Sequence, residues 1–238
     1  MNMVSDVRQD HIAGRLYCRG TVHLPISILL ITIVIAAVCI GCSQHSLQHD
    51  KALKYMKAGD YDSAEAELKR GIEWTPHYPE LYVLLVTVYL EQGKYELALD
   101  AFEKYRKESM PGHIKLKPGS SRAFRPQPNA VYGFLKANYE LACKNYIQGN
   151  YSEAIQYQRP VINTIINADL QREEIARFLA EIDQVQFLLQ AANSIEKLGR
   201  GKGSQRLISI YGEVLRRDPE NKAAREGLRQ IDEQSESR

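Results

Sequence analysis

Cysteine is scarce in this chain, with four in 238 residues, too few for a disulfide framework. Proline and glycine, at 9 and 15, fall far short of collagen-like or proline-rich architectures. An excess of either charge is missing. Lys and Arg number 31 against 29 Asp and Glu, a net charge of +2, so the chain lacks the global basic field of a nucleic-acid binder. Catalytic signatures are missing as well: there is no HExxH, no GxSxG and no Walker-type glycine loop. The glycine-rich stretch Gly199–Gly203 lacks the spacing of a phosphate loop and reads as a helix–helix turn. His45 and His49 share a helix face but have no third ligand in sequence reach, so neither a metal nor another cofactor is expected. What the chain does have is 44% hydrophobic and 25% charged side chains. That balance belongs to a folded globular protein and excludes wholesale disorder. The length suits one domain or two.

The apolar side chains are unevenly spread. Leu24 to Gly41 reads LPISILLITIVIAAVCIG, 18 residues without a charge, and Arg8, Arg15 and Arg19 precede it. A basic segment, an apolar run and then small residues make up an export signal. The run is also long enough to remain as an uncleaved signal anchor. The arginines hold the N-terminus inside, so both readings place the rest of the chain outside the cytoplasm. The run ends in Cys39-Ile40-Gly41-Cys42, which resembles the lipobox of bacterial lipoproteins. The resemblance implies removal of residues 1–41 and lipidation of Cys42, which then becomes the N-terminus, with 42–50 as a tether. More than one acyl chain then holds the domain stably at a membrane. Ser43, where aspartate would signal inner-membrane retention, implies the periplasmic face of the outer membrane in a two-membrane bacterium. Elsewhere the outer face of the cytoplasmic membrane is expected. Cys18 and Cys39 lie in the signal, which leaves Cys143 without a partner for an internal disulfide, and it reads as a small apolar residue on a helix.

The remainder is repetitive. The pattern G-x-Y-x-x-A occurs at Gly59, Tyr61 and Ala64, at Gly93, Tyr95 and Ala98, and at Gly149, Tyr151 and Ala154. The first two copies are 34 residues apart. Glycine accepts the positive φ that ends a helix. Alanine lets two helix backbones approach, and tyrosine fills the gap between them. These residues, with Ala52, Tyr55, Leu68 and Pro76 in the first copy and Tyr82, Leu85, Tyr89 and Phe102 in the second, resemble the tetratricopeptide repeat, a helix–turn–helix unit of 34 residues. The third copy adds Leu141 and Ala142 but has Gln158 where a large apolar residue is usual. Ile195, Leu198, Leu207, Tyr211, Val214 and Pro219 mark a degenerate fourth. The resemblance implies an all-α solenoid of three to four stacked units, because a single helix pair cannot bury its own apolar face.

The 3.6-residue periodicity predicts helices near 46–58, 61–75, 79–92, 95–108, 130–148, 151–167, 171–199, 203–217 and 220–234. The first two repeats thus occupy 45–109, the third 130–168, and 169–238 holds a long helix, the degenerate repeat and a polar capping helix. Ile175, Phe178, Ile182, Val185, Leu189 and Ala192 are spaced 3, 4, 3, 4 and 3. That seam predicts one long helix over 171–199 packing back on the third repeat, with a break near 186 as the alternative. Between repeats two and three, residues 110–129 form a Pro- and Gly-rich loop carrying Lys115, Lys117, Arg122 and Arg125 and no acidic residue.

With no catalytic constellation, no enzymatic activity is expected, and function falls to the surface. Tetratricopeptide arrays hold a peptide or helix in the groove lined by the first helix of each pair. The resemblance assigns that groove to Leu53 and Met56, to Val83, Thr87 and Leu90, and to Lys136, Tyr139, Cys143 and Tyr146. An apolar groove of this kind suits an amphipathic helix or an extended segment, unless several of these residues are ordinary inter-repeat packing or the helix over 171–199 covers them. Leu84 stands where the family's carboxylate clamp has asparagine, which argues against that specialised use. The expected partner is therefore a protein or peptide in the cell envelope, held by a membrane-anchored scaffold, with no nucleic acid involved. The alternative is recruitment of an anionic envelope lipid or glycan by the basic loop 110–129.

Overall fold

Left-handed glycine turns divide the chain into helix pairs. Gly59, Gly93, Gly149 and Gly199 have φ of 75, 69, 76 and 62°. Each donates its N–H to a carbonyl three residues back, at 2.9–3.1 Å: Met56, Leu90, Tyr146 and Glu196 in turn. At the first three turns the next residue's N–H closes the longer bond of a Schellman motif, Asp60 to Tyr55, Lys94 to Tyr89 and Asn150 to Asn145. Gly199 therefore makes in the degenerate fourth unit the turn that the other three glycines make in theirs.

The computed structural model describes residues 47–109, 126–167, 171–199 and 205–236. The chain divides into two units, Met1–Ile40 and Gly41–Arg238, and every described residue belongs to the second. The expected signal segment, Cys42 and the side chains Lys115, Lys117, Arg122 and Arg125 of the expected loop lie outside the described residues. Among the described residues every element is a helix, and none is long and apolar enough to cross a membrane. In order they are α1 (residues 47–57), α2 (Tyr61–Trp74), α3 (Pro79–Glu91), α4 (Tyr95–Ser109), α5 (Pro128–Ile147), α6 (Tyr151–Ile166), α7 (Glu173–Glu181), α8 (Gln184–Lys197), α9 (Gln205–Arg217) and α10 (Lys222–Glu236).

The ends follow from local chemistry. Asp60 caps α2 by accepting from Ser63 N–H at 3.1 Å, and Pro79 and Pro128 sit in the first turns of α3 and α5, where no intrahelical N–H is needed. Ala64, Ala98 and Ala154 are completely buried where the paired helices meet. Tyr61, Tyr95 and Tyr151 are half-buried beside them.

The long helix expected over 171–199 is two. Ile182 is extended, with φ −115° and ψ 148°, and Asp183 caps α8 by accepting from Gln186 N–H at 2.9 Å. Gln184 Nε2 turns back onto the Leu179 carbonyl at 2.9 Å. Asp183-x-x-Gln186 is a capping-box pattern, and Ile182 and Phe187 occupy the two staple positions around it. These local bonds outweigh a heptad seam that runs through the break without interruption. The break lets one stretch of chain serve two neighbours: α7 lies against α5, while α8 packs on α6 and pairs with α9. The cap α10 packs on α9 through Ala224, Leu228 and Ile231.

The core has two parts. One joins α1–α4 to the first half of α5 and contains Leu68, Leu81, Val86 and Tyr105. The other joins α5, through Leu135 and Ala142, to α6–α10 and contains Ile165, Phe178, Phe187 and Ile210. Phe134 packs against both.

Candidate protein-binding surface

The first helices of the pairs, α1, α3 and α5, carry the residues that the repeat pattern assigns to the groove. Leu53 and Met56 are half-exposed on α1, as are Thr87 and Leu90 on α3. Val83 is not a groove residue: at 4% exposure it belongs to the core, because α3 is apolar on nearly all sides and buries two faces. Leu90 lies where α3 meets α5, with its Cδ1 3.3 Å from where a Cβ on Gly133 would stand.

On α5 the assigned positions are engaged by the chain itself. Tyr139 packs edge-on to Phe178 of α7, with ring centroids 6.3 Å apart, and lies 5.2 Å from the Phe187 ring of α8. Lys136 reaches Glu140 at 3.3 Å and Glu181 of α7 at 3.8 Å. Tyr132 donates to Glu181 at 2.6 Å, and the Arg177 guanidinium lies 3.7 Å from the centre of the Tyr132 ring. Burial, with Cys143 beside it, pushes the Tyr139 hydroxyl up to about 12, and burial also raises the Cys143 thiol. A thiol held protonated is a poor nucleophile. The predicted groove is thus closed at its third repeat by α7, the covering helix that the sequence left open as an alternative.

A cleft opens beyond α7. It has a volume of about 470 Å³ and is lined by α8, α10, Tyr146 and Tyr211. Gln186, Leu189, Gln190 and Asn193 line one wall and Ala223, Glu226, Gly227 and Gln230 the other, each set at the spacing of one helix face. Asn193 Nδ2 donates to the Tyr146 hydroxyl at 2.7 Å, so Tyr146 stands at the rim. Tyr211 donates to Glu196 at 2.6 Å, and burial, then this bond, raises its hydroxyl above the usual range. Hydrogen bonds from Arg229 and Gln230 hold the Glu226 carboxyl down at about 2. The Gln190 Oε1 is buried without a hydrogen-bond partner. Of the groove residues named from the sequence only Tyr146 borders this cleft. The polar run Gln186, Gln190 and Asn193 on α8 was the available signal, masked by the apolar seam through Val185, Leu189 and Ala192 beside it on the same helix.

Among the described residues no group of three His, Cys, Asp or Glu side chains is placed to hold a metal. What the cleft offers is a wall of side-chain amides, each able to donate and to accept, together with two carboxylates. That chemistry binds peptide groups.

Residues 55–110 match the tetratricopeptide-repeat family. They run from the end of α1 through α4, so the matched stretch covers the first two glycine turns. The fold is an all-α solenoid of tetratricopeptide-type helix–turn–helix units, with the fourth unit degenerate and α7 inserted before it. No curated protein matches the chain. Among solved structures, the crystal structure of PilW, described as a widely conserved type IV pilus biogenesis factor, is similar at 15% identity. That similarity covers 77% of this chain and 98% of that one, with a TM-score of 0.27.

Proposed function

We propose that the protein is a membrane-tethered, non-catalytic adaptor of the cell envelope that holds a protein partner in the cleft between α8 and α10. The observation that carries this reading is a cleft of about 470 Å³ whose α8 wall presents the side-chain amides of Gln186, Gln190 and Asn193. Each of these amides can donate and accept, so the wall matches the N–H and C=O groups of a peptide laid along α8. Tetratricopeptide repeats generally act through protein–protein contacts, and the amide wall fits an extended main chain better than it fits an apolar helix. The export segment and the lipobox-like Cys39–Cys42 support the envelope location and the tether.

A photo-crosslinking amino acid placed singly in the full chain tests the reading in native membranes. Adducts to the same partner at positions 186 and 193, and none at the exposed α4 position Arg106, are expected. Equal crosslinking at Arg106 would defeat it. The tether is tested separately by radiolabelled palmitate, whose incorporation should vanish in Cys42→Ser. A wild-type chain that stays unlabelled while fractionating with membranes would mean an uncleaved signal anchor.

A further inference from the structure

A second cleft, of about 430 Å³, lies between α6, the end of α8 and the start of α9. Ser152, Ile155, Gln156 and Arg159 line it from one face of α6, opposite Ile195 of α8, Leu198 just past the end of α8, and Arg206 of α9. It shares no residue with the α8–α10 cleft, and nothing in the argument for it rests on that site.

Its two arginines differ from the others. Every other arginine among the described residues pairs with a carboxylate. Among the described residues Arg159 and Arg206 have neither a hydrogen bond nor an ion pair, and no acidic side chain lines their cleft. Arg206 is half-buried, and burial, then the charge of Arg159, lowers its guanidinium from its usual value. Two like charges facing one cleft, one of them partly desolvated, are an unfavourable arrangement until an anion bridges them. Guanidinium forks bind the two oxygens of a carboxylate side by side. The floor between them is aliphatic, and Ser152 and Gln156 supply a hydroxyl and an amide at the edge.

We propose that this cleft captures the free C-terminus of a partner chain ending in an aliphatic residue. The terminal carboxylate bridges Arg159 and Arg206, the last side chain covers Ile155, Ile195 and Leu198, and the last peptide group meets Gln156 and Ser152. A bare phosphate would leave the aliphatic floor uncovered. A fatty acid would lay methylenes along the amide edge and leave it unpaired.

The probe is a fluorescein-labelled peptide ending in Ala-Leu with a free carboxylate, titrated against the full-length protein and read by anisotropy. Saturable binding is expected, with at least about tenfold weakening when the C-terminus is amidated and in Arg159→Gln or Arg206→Gln. Equal affinity for the amidated peptide, or no binding at all, overturns the proposal. So does displacement of the probe by inorganic phosphate or octanoate at lower concentration than by unlabelled acetyl-Ala-Leu. Each substitution relieves a like-charge contact, so both variants should melt no lower than the wild type without peptide. A lower melting temperature would assign the arginines a structural role and overturn the proposal independently of the binding data.

Discussion

Glycine serves two purposes in this chain, and only one of them shows in the sequence. At Gly59 nothing lies within 4 Å of where a Cβ would stand, so the residue is required by its φ of 75° alone. At Gly133 a Cβ would fall 2.4 Å from Val86 Cγ1, so that glycine is required by the close approach of α5 to α3. The two respond differently to substitution. Gly59→Ala should cost about 1 kcal/mol and Gly59→Asn less, since asparagine tolerates the left-handed region. Gly133→Ala should cost about 1–3 kcal/mol through overpacking, and Gly133→Asn more. Urea unfolding of the four variants checks the crossed order. The turn glycines were legible because they recur with a tyrosine and an alanine at fixed offsets. Gly133 was not, because its neighbour Val86 is distant in sequence. Gln158 is a third residue-scale case. It stands where the repeat pattern calls for a large apolar side chain, is 1% exposed, and donates to Ser194 at 3.2 Å while its Oε1 lacks a partner. The Ser194 hydroxyl is also satisfied by the Gln190 carbonyl at 2.9 Å. Gln158→Leu should therefore raise stability by about 1 kcal/mol, seen as a higher urea midpoint at unchanged slope. A lower midpoint would mean that the buried amide has a partner.

At the scale of elements, helix limits were legible almost throughout, because caps, turn glycines and prolines mark them in the local sequence. The exception is the break between α7 and α8. Heptad spacing reports which face is apolar and is blind to a register-preserving interruption, whereas Asp183, Gln186 and the Ile182–Phe187 pair were present to mark it. The same misreading hid the α8–α10 cleft, because the heptad spacing picks out Val185, Leu189 and Ala192 and passes over Gln186, Gln190 and Asn193. Asp183→Ala should cost about 1 kcal/mol by removing the cap, and should raise amide exchange in the first turn of α8 before any other element. Uniform loss of protection would count against the cap as the hinge between the two helices. A second element-scale contact joins α2 to the segment leading into α4. Glu65 takes hydrogen bonds from Lys69 at 2.6 Å and Lys94 at 2.9 Å. Burial opposes its charge, but these bonds prevail and hold its carboxyl at about 2, against 4.5 when free. A carboxyl lowered by folding contributes stability that is complete above its unfolded value and is lost as pH falls through its folded value. The stability gap between wild type and Glu65→Gln should therefore be full above pH 5, by about half a unit past the free value, and should close toward pH 2. Urea midpoints across that range measure it, and a gap independent of pH would remove Glu65 as the titrating group.

At the scale of the whole repeat array, stability is distributed along a line. In a solenoid each unit touches its neighbours, so cooperativity between the ends depends on the interfaces between them. Here the core falls into two clusters, and the passage between them runs through α5. Phe134 packs against both, and its ring stacks on Phe102 with centroids 4.5 Å apart. Gly133, the next residue back, brings the same turn of α5 onto Val86. Composition and periodicity announce a solenoid but do not show where it is weakest, because Phe102 and Phe134 are distant in sequence and the repeat pattern does not pair them. Phe134→Ala removes the ring that both clusters share. It should cost about 2–3 kcal/mol, below the value for a fully buried phenylalanine because Phe134 is half-buried. The form of the transition decides more than its size. If Phe134 couples the clusters, the variant should unfold in two steps by circular dichroism and hydrogen exchange. Amides of α2–α4 and of α6–α9 would then open at separate urea concentrations, where the wild type opens them together. A single transition displaced as a whole would mean that the interface survives without the ring, and that the contacts of α3 and α4 with α5 are sufficient to bind the two halves into one cooperative unit.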